Sequence, residues 1–193
     1  MVGARMGAQK QDLCSVADYL ETEKSREIRH EYLGGTVYAM SGASRRHNRI
    51  GLSIAKCLDL KLSGGPCQVM VESIKLHIRT SLSEFFYYPD VMVGCDSSDD
   101  NDYFLESPSL IFEVLSPSTE QIDRREKVLA YQTIASLEHY VIVSQEERRV
   151  EWLRREGNAW VASVLTDTED LLDFPGQGAS LTLGEIYEGI NFE

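Results

Sequence analysis

Two carboxylates in neighbouring apolar runs are the residues of this chain best suited to chemistry. Asp90 follows Pro89 at the start of a β-branched run, and Glu113 stands 23 residues after Asp90, inside residues 111–115. Carboxylates at the ends of neighbouring strands can hold one hard divalent cation, and the carbonyl of Val114 could supply a further oxygen. Such a cation can activate water against a phosphodiester. The pattern therefore predicts a Mg²⁺ or Mn²⁺ site formed by Asp90, Glu113 and Val114.

The apolar surroundings of Glu113 predict a compensating partner whatever the role of this residue. A buried carboxylate costs on the order of several kcal/mol unless a cation or a hydrogen-bond donor compensates it. A buried salt bridge, or backbone N–H groups from residues 116–119, would compensate it without any catalytic role. Buried acids occur in structural ion pairs as well as in functional sites, so both explanations stay open.

A lysine on the next predicted helix is the third candidate. Lys127 lies four residues after Asp123 and four before Tyr131, and these residues share one helical face. One explanation is an ordinary Asp–Lys pair, which contributes about 0.3 kcal/mol. In the other, Lys127 points over the ends of the Asp90 and Glu113 strands, where its charge would orient water or stabilise a transferring phosphoryl group.

The elements that would position these side chains follow from periodicity and turn residues. Apolar residues recur every four positions over about 46–62 and stop at Gly64-Gly65-Pro66, which predicts an amphipathic helix. The other predicted elements are helices over 15–24, 121–135 and 183–187, a hairpin of strands 31–33 and 36–40, and strands over 68–78, 87–93, 110–115, 139–144, 149–153 and 160–165. This order predicts one α/β or α+β domain over residues 12–193, with a central mixed β-sheet flanked by helices, after a loose tail at 1–11.

Composition and charge limit the class of protein. The chain has 193 residues, of which 42% are hydrophobic, and no run of 18 apolar residues, so we expect a soluble, cytoplasmic protein with one core and no membrane contact. A formal net charge of −12 argues against a protein that coats DNA non-specifically. The acidic segment 96–102 predicts a solvated loop without a tight turn.

The four cysteines form no CxxC pair, since 43, 10 and 28 positions separate them in chain order. This spacing argues against a zinc knuckle or a redox motif. We expect each cysteine to pack as a small apolar side chain in a reducing compartment.

Several of these segments together resemble a known family. The chain is similar, over about residues 15–190, to the PD-(D/E)xK nuclease superfamily and, within it, to the restriction-endonuclease-like family called domain of unknown function 820. The segments that carry the resemblance are 31–35, 40–42 before His47, 89–91, 112–119, Asp123 with Lys127 and Tyr131, and 138–142. One position departs from the superfamily motif, because Leu115 stands where the motif has a lysine.

The resemblance implies a restriction-endonuclease-like fold and a metal-dependent endonuclease that acts on DNA. In that superfamily the lysine can lie on a neighbouring helix, so the resemblance assigns this role to Lys127. It also implies that Glu31 is an additional acidic residue of the site. His47 matches the family's pattern too, although a histidine near a helix start is commonly a capping or surface residue. Because superfamily members that cut both strands often pair, a homodimer is expected.

The affinity for DNA is expected to be weak and salt-dependent, because only local clusters of basic residues could contact phosphates on so acidic a protein. These clusters, which could equally be solvated faces, are Arg45, Arg46 and Arg49; Arg124, Arg125 and Lys127; Arg148 and Arg149; and Arg154 and Arg155. Two other functions compete with the nuclease. A catalytically silent interaction module on the same fold would explain Leu115 and the net charge, whereas a metal-free hydrolase is disfavoured because the chain has no GxSxG.

Overall fold

The computed structural model describes residues 13–116 and 126–192, which form four helices and thirteen strands. The helices are α1 (Val16–Glu23), α2 (Arg45–Leu62), α3 (Val128–Tyr131) and α4 (Leu183–Ile186). The strands are β1 (His30–Leu33), β2 (Thr36–Ala39), β3 (Gln68–Val71), β4 (Lys75–Arg79), β5 (Glu84–Tyr87), β6 (Val91–Gly94), β7 (Phe104–Leu105), β8 (Pro108–Val114), β9 (His139–Val143), β10 (Val150–Glu156), β11 (Ala159–Leu165), β12 (Leu171–Phe174) and β13 (Ala179–Thr182). The predicted tail lies outside these residues.

The strands form two mixed sheets and one separate hairpin. The six-stranded sheet has the order β11-β10-β9-β8-β6-β3, in which β8 and β9 are parallel and the other neighbours antiparallel. The five-stranded sheet has the order β2-β1-β5-β4-β7, with β4 and β7 parallel. Among the described residues, strands β12 and β13 form a separate antiparallel hairpin. The predicted mixed α+β class is confirmed.

The six-stranded sheet is covered on both faces, as the continuous apolar run of β8 predicts. Phe112 and Val114 belong to the core on one face, which α2, α4 and the β12–β13 hairpin complete. Ile111 belongs to the core on the other face, which includes Leu76 of β4 and Tyr131 of α3. Helices therefore flank one face, whereas the five-stranded sheet and the short α3 cover the other.

Helix α2 forms where the four-residue apolar period predicts it. Its N-cap is Ser44, whose hydroxyl accepts a hydrogen bond from the backbone N–H of His47. Gly64 adopts a positive φ of 81° just beyond its end, as a glycine after a helix commonly does. The buried stripe is Ile50, Ile54, Leu58 and Leu62. Within the described residues, no helix combines the length and the apolar character needed to cross a bilayer.

Two predicted strands are each divided in two. Residues 87–93 contain the end of β5 at Tyr87 and the start of β6 at Val91, and these strands belong to different sheets. Pro89 has no backbone N–H for a strand ladder, so the pairing stops there and the chain crosses from the five-stranded to the six-stranded sheet. Residues 68–78 divide likewise into β3 and β4. The predicted helix at 121–135 ends early, at Tyr131, and its first part lies outside the described residues.

The prediction of four unpaired cysteines is wrong for Cys67 and Cys95, which form a disulfide. The antiparallel pairing of β3 with β6 sets Gln68 opposite Gly94, and so brings the next pair of residues face to face. Cys14 and Cys57 have free thiols. Sequence spacing cannot reveal this pairing, because it depends on strand register.

The acidic loop after Cys95 does contain a tight turn, contrary to the prediction. The backbone N–H of Asp99 donates to the carbonyl of Asp96, and the Asp96 carboxylate accepts from the N–H of Ser98. A side chain that satisfies its own turn offsets the repulsion between neighbouring acids. The Asp99 carboxylate also accepts two backbone N–H groups, which ties the loop to the residues before β8.

Candidate active site

Asp90 and Glu113 meet on neighbouring strands. The antiparallel register sets Val91 of β6 opposite Phe112 of β8, so Asp90 lies beside Glu113. The backbone N–H of Val114 donates to Asp90 Oδ2 over 2.6 Å. Asp90, Glu113 and Val114 line a single cleft with a volume of about 470 Å³. The structure thus brings together the three residues that the sequence suggested for a cation.

Much of the remaining cleft wall comes from both ends of the β1–β2 hairpin. Residues 27–29 precede β1 and residues 40–43 follow β2, and the N–H of Met40 donates to the carbonyl of Arg29 over 2.9 Å. Arg29 in turn donates to the carbonyl of Glu72, which lies in the β3–β4 connection and also lines the cleft. Three separate stretches of chain therefore close around the two carboxylates.

His47 contacts Asp90 from the first turn of α2. Its Nε2 lies 3.3 Å from Asp90 Oδ2, the same oxygen that accepts from Val114. Burial disfavours the charged imidazole, but the hydrogen bond and charge of Asp90, with Glu72 and the Val114 carbonyl adding to them, outweigh it and raise the pKa of His47. Asp90 Oδ1 receives no hydrogen bond from the described part of the chain, and the Asp90 side chain, 14% exposed, lines the cleft.

Glu113 is compensated by a buried cluster from two other elements. Lys127 Nζ lies 3.1 Å from Glu113 Oε1 and 3.3 Å from Glu31 Oε1, and the Tyr131 hydroxyl donates to Glu113 Oε1 over 2.7 Å. Glu113 and Lys127 are only 3% and 5% exposed. Burial, with the nearby charge of Glu113, raises the pKa of Tyr131 well above its ordinary value, so this hydroxyl stays protonated and donates. The buried salt bridge that the sequence left open is present, and it lies beside the cleft.

Of the predicted site residues, only Asp123 lies outside the described part of the chain. Two residues that complete the site were not predicted for it. The spacing placed Tyr131 on the helical face of Lys127, but no role in the site was predicted for it. Gln145 had no such signal, because its contacts depend on the parallel pairing of β8 with β9.

Gln145 joins the ends of two parallel strands to the start of α2. Its Nε2 donates to the carbonyl of Leu115 over 2.8 Å, and its Oε1 accepts from the hydroxyl of Ser44, the α2 cap. The side chain is 3% exposed. Leu115, at the position of the motif lysine, is itself buried in the second core. Gln145 therefore holds the helix that carries His47 against the strand that carries Glu113.

The donor set suits Mg²⁺ or Mn²⁺ better than zinc. Carboxylate and carbonyl oxygens are the ligands of hard cations, and Mg²⁺ commonly binds through one or two carboxylates while it keeps several waters. Asp90 lines the cleft, where its Oδ1 could bind such an ion. No cluster of three or more His, Cys, Asp or Glu side chains arranged for a metal occurs in residues 13–116 and 126–192, so water and substrate would complete the coordination.

A family model described as "Putative restriction endonuclease" (Uma2) matches residues 16–184 of the chain. The chain belongs to this family. Among its relatives, "Uncharacterized protein slr1290" of Synechocystis sp. is 31% identical over 179 residues, which cover 92% of this chain and 93% of that protein. "Uncharacterized protein sll1609" of the same organism is 30% identical over 166 residues, which cover 84% of this chain and 93% of that protein.

A solved structure has the same fold as this Uma2 family member. The crystal structure of "a putative nuclease belonging to DUF820" from Anabaena variabilis matches with a TM-score of 0.68 and 16% identity, over 84% of this chain and 91% of that one. The resemblance to domain of unknown function 820 is confirmed, and the fold is nuclease-like.

Proposed function

We propose that this protein is a metal-dependent nuclease that hydrolyses phosphodiester bonds in DNA. One observation carries the proposal: Asp90 and Glu113 line the same cleft from adjacent strands, and the ammonium group of Lys127 lies 3.1 Å from Glu113. Two carboxylates and a lysine at one cleft are the groups with which a nuclease can bind a hard cation and assist hydrolysis. Membership of the Uma2 family supports the same reaction class.

Asp90, Glu113 and the carbonyl of Val114 would hold the metal ion. When bound, Mg²⁺ or Mn²⁺ supplies a Lewis acid that polarises the phosphoryl oxygen and lowers the pKa of water. In the reaction, a water oxygen bonds to phosphorus in line with the departing sugar oxygen, whose bond to phosphorus breaks. The attacking water gives up one proton and the departing sugar oxygen takes one up, so the products are a phosphate monoester and a free hydroxyl. Lys127 supplies positive charge where negative charge develops on the phosphoryl group.

Glu31 and His47 are positioning residues in this proposal. Glu31 Oε1, 3.3 Å from Lys127 Nζ, holds the ammonium group between two carboxylates. His47 and the Val114 N–H both contact Oδ2 of Asp90, which fixes the carboxylate and leaves Oδ1 for the ion. A reacting group held in one orientation contributes to rate because little entropy is lost in the transition state.

Metal binding and cleavage test the proposal directly. Thermal unfolding in millimolar Mn²⁺ should shift upward for the wild type, and the shift should vanish in Asp90→Asn, whose amide oxygen can still accept from Val114. Glu113→Gln should keep the fold, because its amide oxygen still accepts from Tyr131, and should abolish Mn²⁺-dependent cleavage of DNA. Asp59→Asn, an exposed acid on α2 away from the cleft, is the matched control and should behave as the wild type.

A catalytically silent interaction module is the second candidate. It is favoured by Leu115 at the motif lysine position and by the pairing of both carboxylates with cations of the protein itself, His47 and Lys127. If the wild type shows neither a Mn²⁺-induced shift nor cleavage, the nuclease proposal is refuted and the interaction module replaces it.

A further inference from the structure

The basic side chains that line the cleft are already paired. Arg29 lies 3.6 Å from the Glu72 carboxylate, His47 3.3 Å from Asp90, and Lys127 3.1 Å from Glu113. Glu27 adds a further acid to the wall. Among the described residues, the cleft therefore has no row of uncompensated cations that could bind the two phosphate backbones of a DNA duplex.

The outer wall of the cleft is instead partly apolar. Ile28 lines it with 58% of its surface exposed, and Met40 follows β2 on the adjoining segment. The hydrogen bond from the Met40 N–H to the Arg29 carbonyl ties these two segments together, so both apolar side chains belong to one wall. Such a surface beside the candidate metal ligands suits a ligand with an apolar face next to its phosphate.

A nucleobase in a single strand is such a face. In duplex DNA the bases are stacked inside and the phosphates of two strands lie outside, whereas a single strand leaves its bases free to pack on protein side chains. A duplex also carries a higher charge density, so a protein with net charge −12 repels it more strongly than it repels one strand.

We propose that the substrate is single-stranded DNA, bound with one base packed on Ile28 and Met40 while the adjoining phosphate lies at Asp90 and Glu113. This inference rests on the proposed function and specifies its substrate class. Binding comes from base contacts and from the metal ion, because the cations of the cleft are used within the protein.

The test compares one labelled oligonucleotide, alone and annealed to its complement. Fluorescence anisotropy in Ca²⁺ gives the dissociation constant, and cleavage in Mn²⁺ gives kcat and KM. We expect tighter binding and faster cleavage of the single strand. Ile28→Ser should weaken single-strand binding about fivefold, the size expected for loss of one apolar contact, and should raise KM more than it lowers kcat.

Leu52→Ser is the matched control, because Leu52 is 56% exposed on α2 and does not line the cleft. It should leave both constants unchanged. Equal or tighter binding of the duplex, or no effect of Ile28→Ser, would overturn the inference while Mn²⁺-dependent cleavage still supported a nuclease. Ile28-dependent binding of the single strand without any cleavage would refute the hydrolytic function and leave the ligand class standing.

Discussion

Lys127 is the side chain on which the charge balance of the site depends most. It is buried between Glu113 and Glu31, at 3.1 and 3.3 Å. Removal of one partner of a buried pair leaves an uncompensated charge and commonly costs about 3 kcal/mol or more. We therefore predict that Lys127→Met lowers the free energy of unfolding by about 3 kcal/mol, measured by urea denaturation.

Two further variants separate charge from packing at this position. Glu113→Gln introduced into Lys127→Met should recover part of the lost stability, because it removes one of the two opposing carboxylates. Lys56→Met is the control, since Lys56 forms an exposed pair with Glu188 at 3.6 Å, and its loss should cost under about 1 kcal/mol. Equal losses in Lys127→Met and Lys56→Met would contradict the buried-pair argument.

The sequence predicts the acids of this site but not all of the residues that contact them. Asp90 and Glu113 stand out because ionisable residues in apolar runs are costly, and Lys127 follows from helical spacing. The contact of His47 with Asp90 and the bridge formed by Gln145 depend on the packing of α2 against the sheet, which no local pattern reports. Their roles in catalysis stay predictions.

Among the elements, the junction of α2 with the ends of β8 and β9 depends on Gln145. The parallel register sets Val114 beside Val143, so residues just beyond both strands meet at one edge. Gln145→Leu removes two hydrogen bonds and leaves a carbonyl and a hydroxyl without this partner. We predict a loss of about 2 kcal/mol in the free energy of unfolding, together with slower cleavage, because the helix that carries His47 loses a contact.

Gln177→Leu provides the comparison for this variant. The half-buried side chain of Gln177 donates one hydrogen bond, of 2.9 Å, to the Glu138 carboxylate. Its replacement should cost less stability and leave kcat unchanged. A wild-type kcat in Gln145→Leu would show that Gln145 has only a structural role.

The β9–β10 pair contains a histidine that should make stability depend on pH. Trp152 Nε1 can only donate, so His139 Nδ1, 3.2 Å away, accepts and the imidazole is neutral. Burial lowers the pKa of His139 in the folded protein. The unfolded chain therefore takes up a proton first as the pH falls through the ordinary histidine range, and the free energy of unfolding decreases.

Urea denaturation at several pH values between 5 and 8, a range that spans the ordinary histidine pKa of about 6.5, tests this dependence. His139→Asn keeps an acceptor near the position of Nδ1 and removes the titration. The decline in stability at low pH should be smaller in this variant than in the wild type. Identical slopes would show that His139 does not contribute to the dependence.

Element by element, the local signals were sufficient for α2, for the β1–β2 hairpin and for the β10–β11 hairpin, because periodicity and glycine turns act over a few residues. They failed at residues 87–93, where an apolar run does not tell which of two sheets each half joins. The strands of the β12–β13 hairpin were also missed, since their buried positions face α2 and only the tertiary structure supplies that surface.

Across the whole molecule, the disulfide between Cys67 and Cys95 restrains the unfolded chain. It closes a loop with a sequence separation of 28, for which the loss of chain entropy predicts a stabilisation of about 3.5 kcal/mol. Addition of a reductant should therefore lower the denaturant midpoint of the oxidised protein. The double variant Cys67→Ala/Cys95→Ala should match the reduced protein and show no response to reductant; a response would point to Cys14 or Cys57 instead.

The homodimer and the cytoplasmic location stay predictions at the scale of the whole molecule. The net charge of −12 is also a property of the whole molecule. It repels a polyanion at long range, independently of the contacts in the cleft.

The crossing of the chain at Pro89 places the proposed catalytic residues at the seam between the two sheets. Asp90 is the last residue before β6, and Lys127 contacts one acid from each sheet, Glu31 of β1 and Glu113 of β8. An opening of this seam would separate Glu31 from Lys127 and, in the same movement, take the cleft wall beside the β1–β2 hairpin away from Asp90. Activity should consequently disappear as one cooperative event at the first loosening of the two layers, before either sheet unravels.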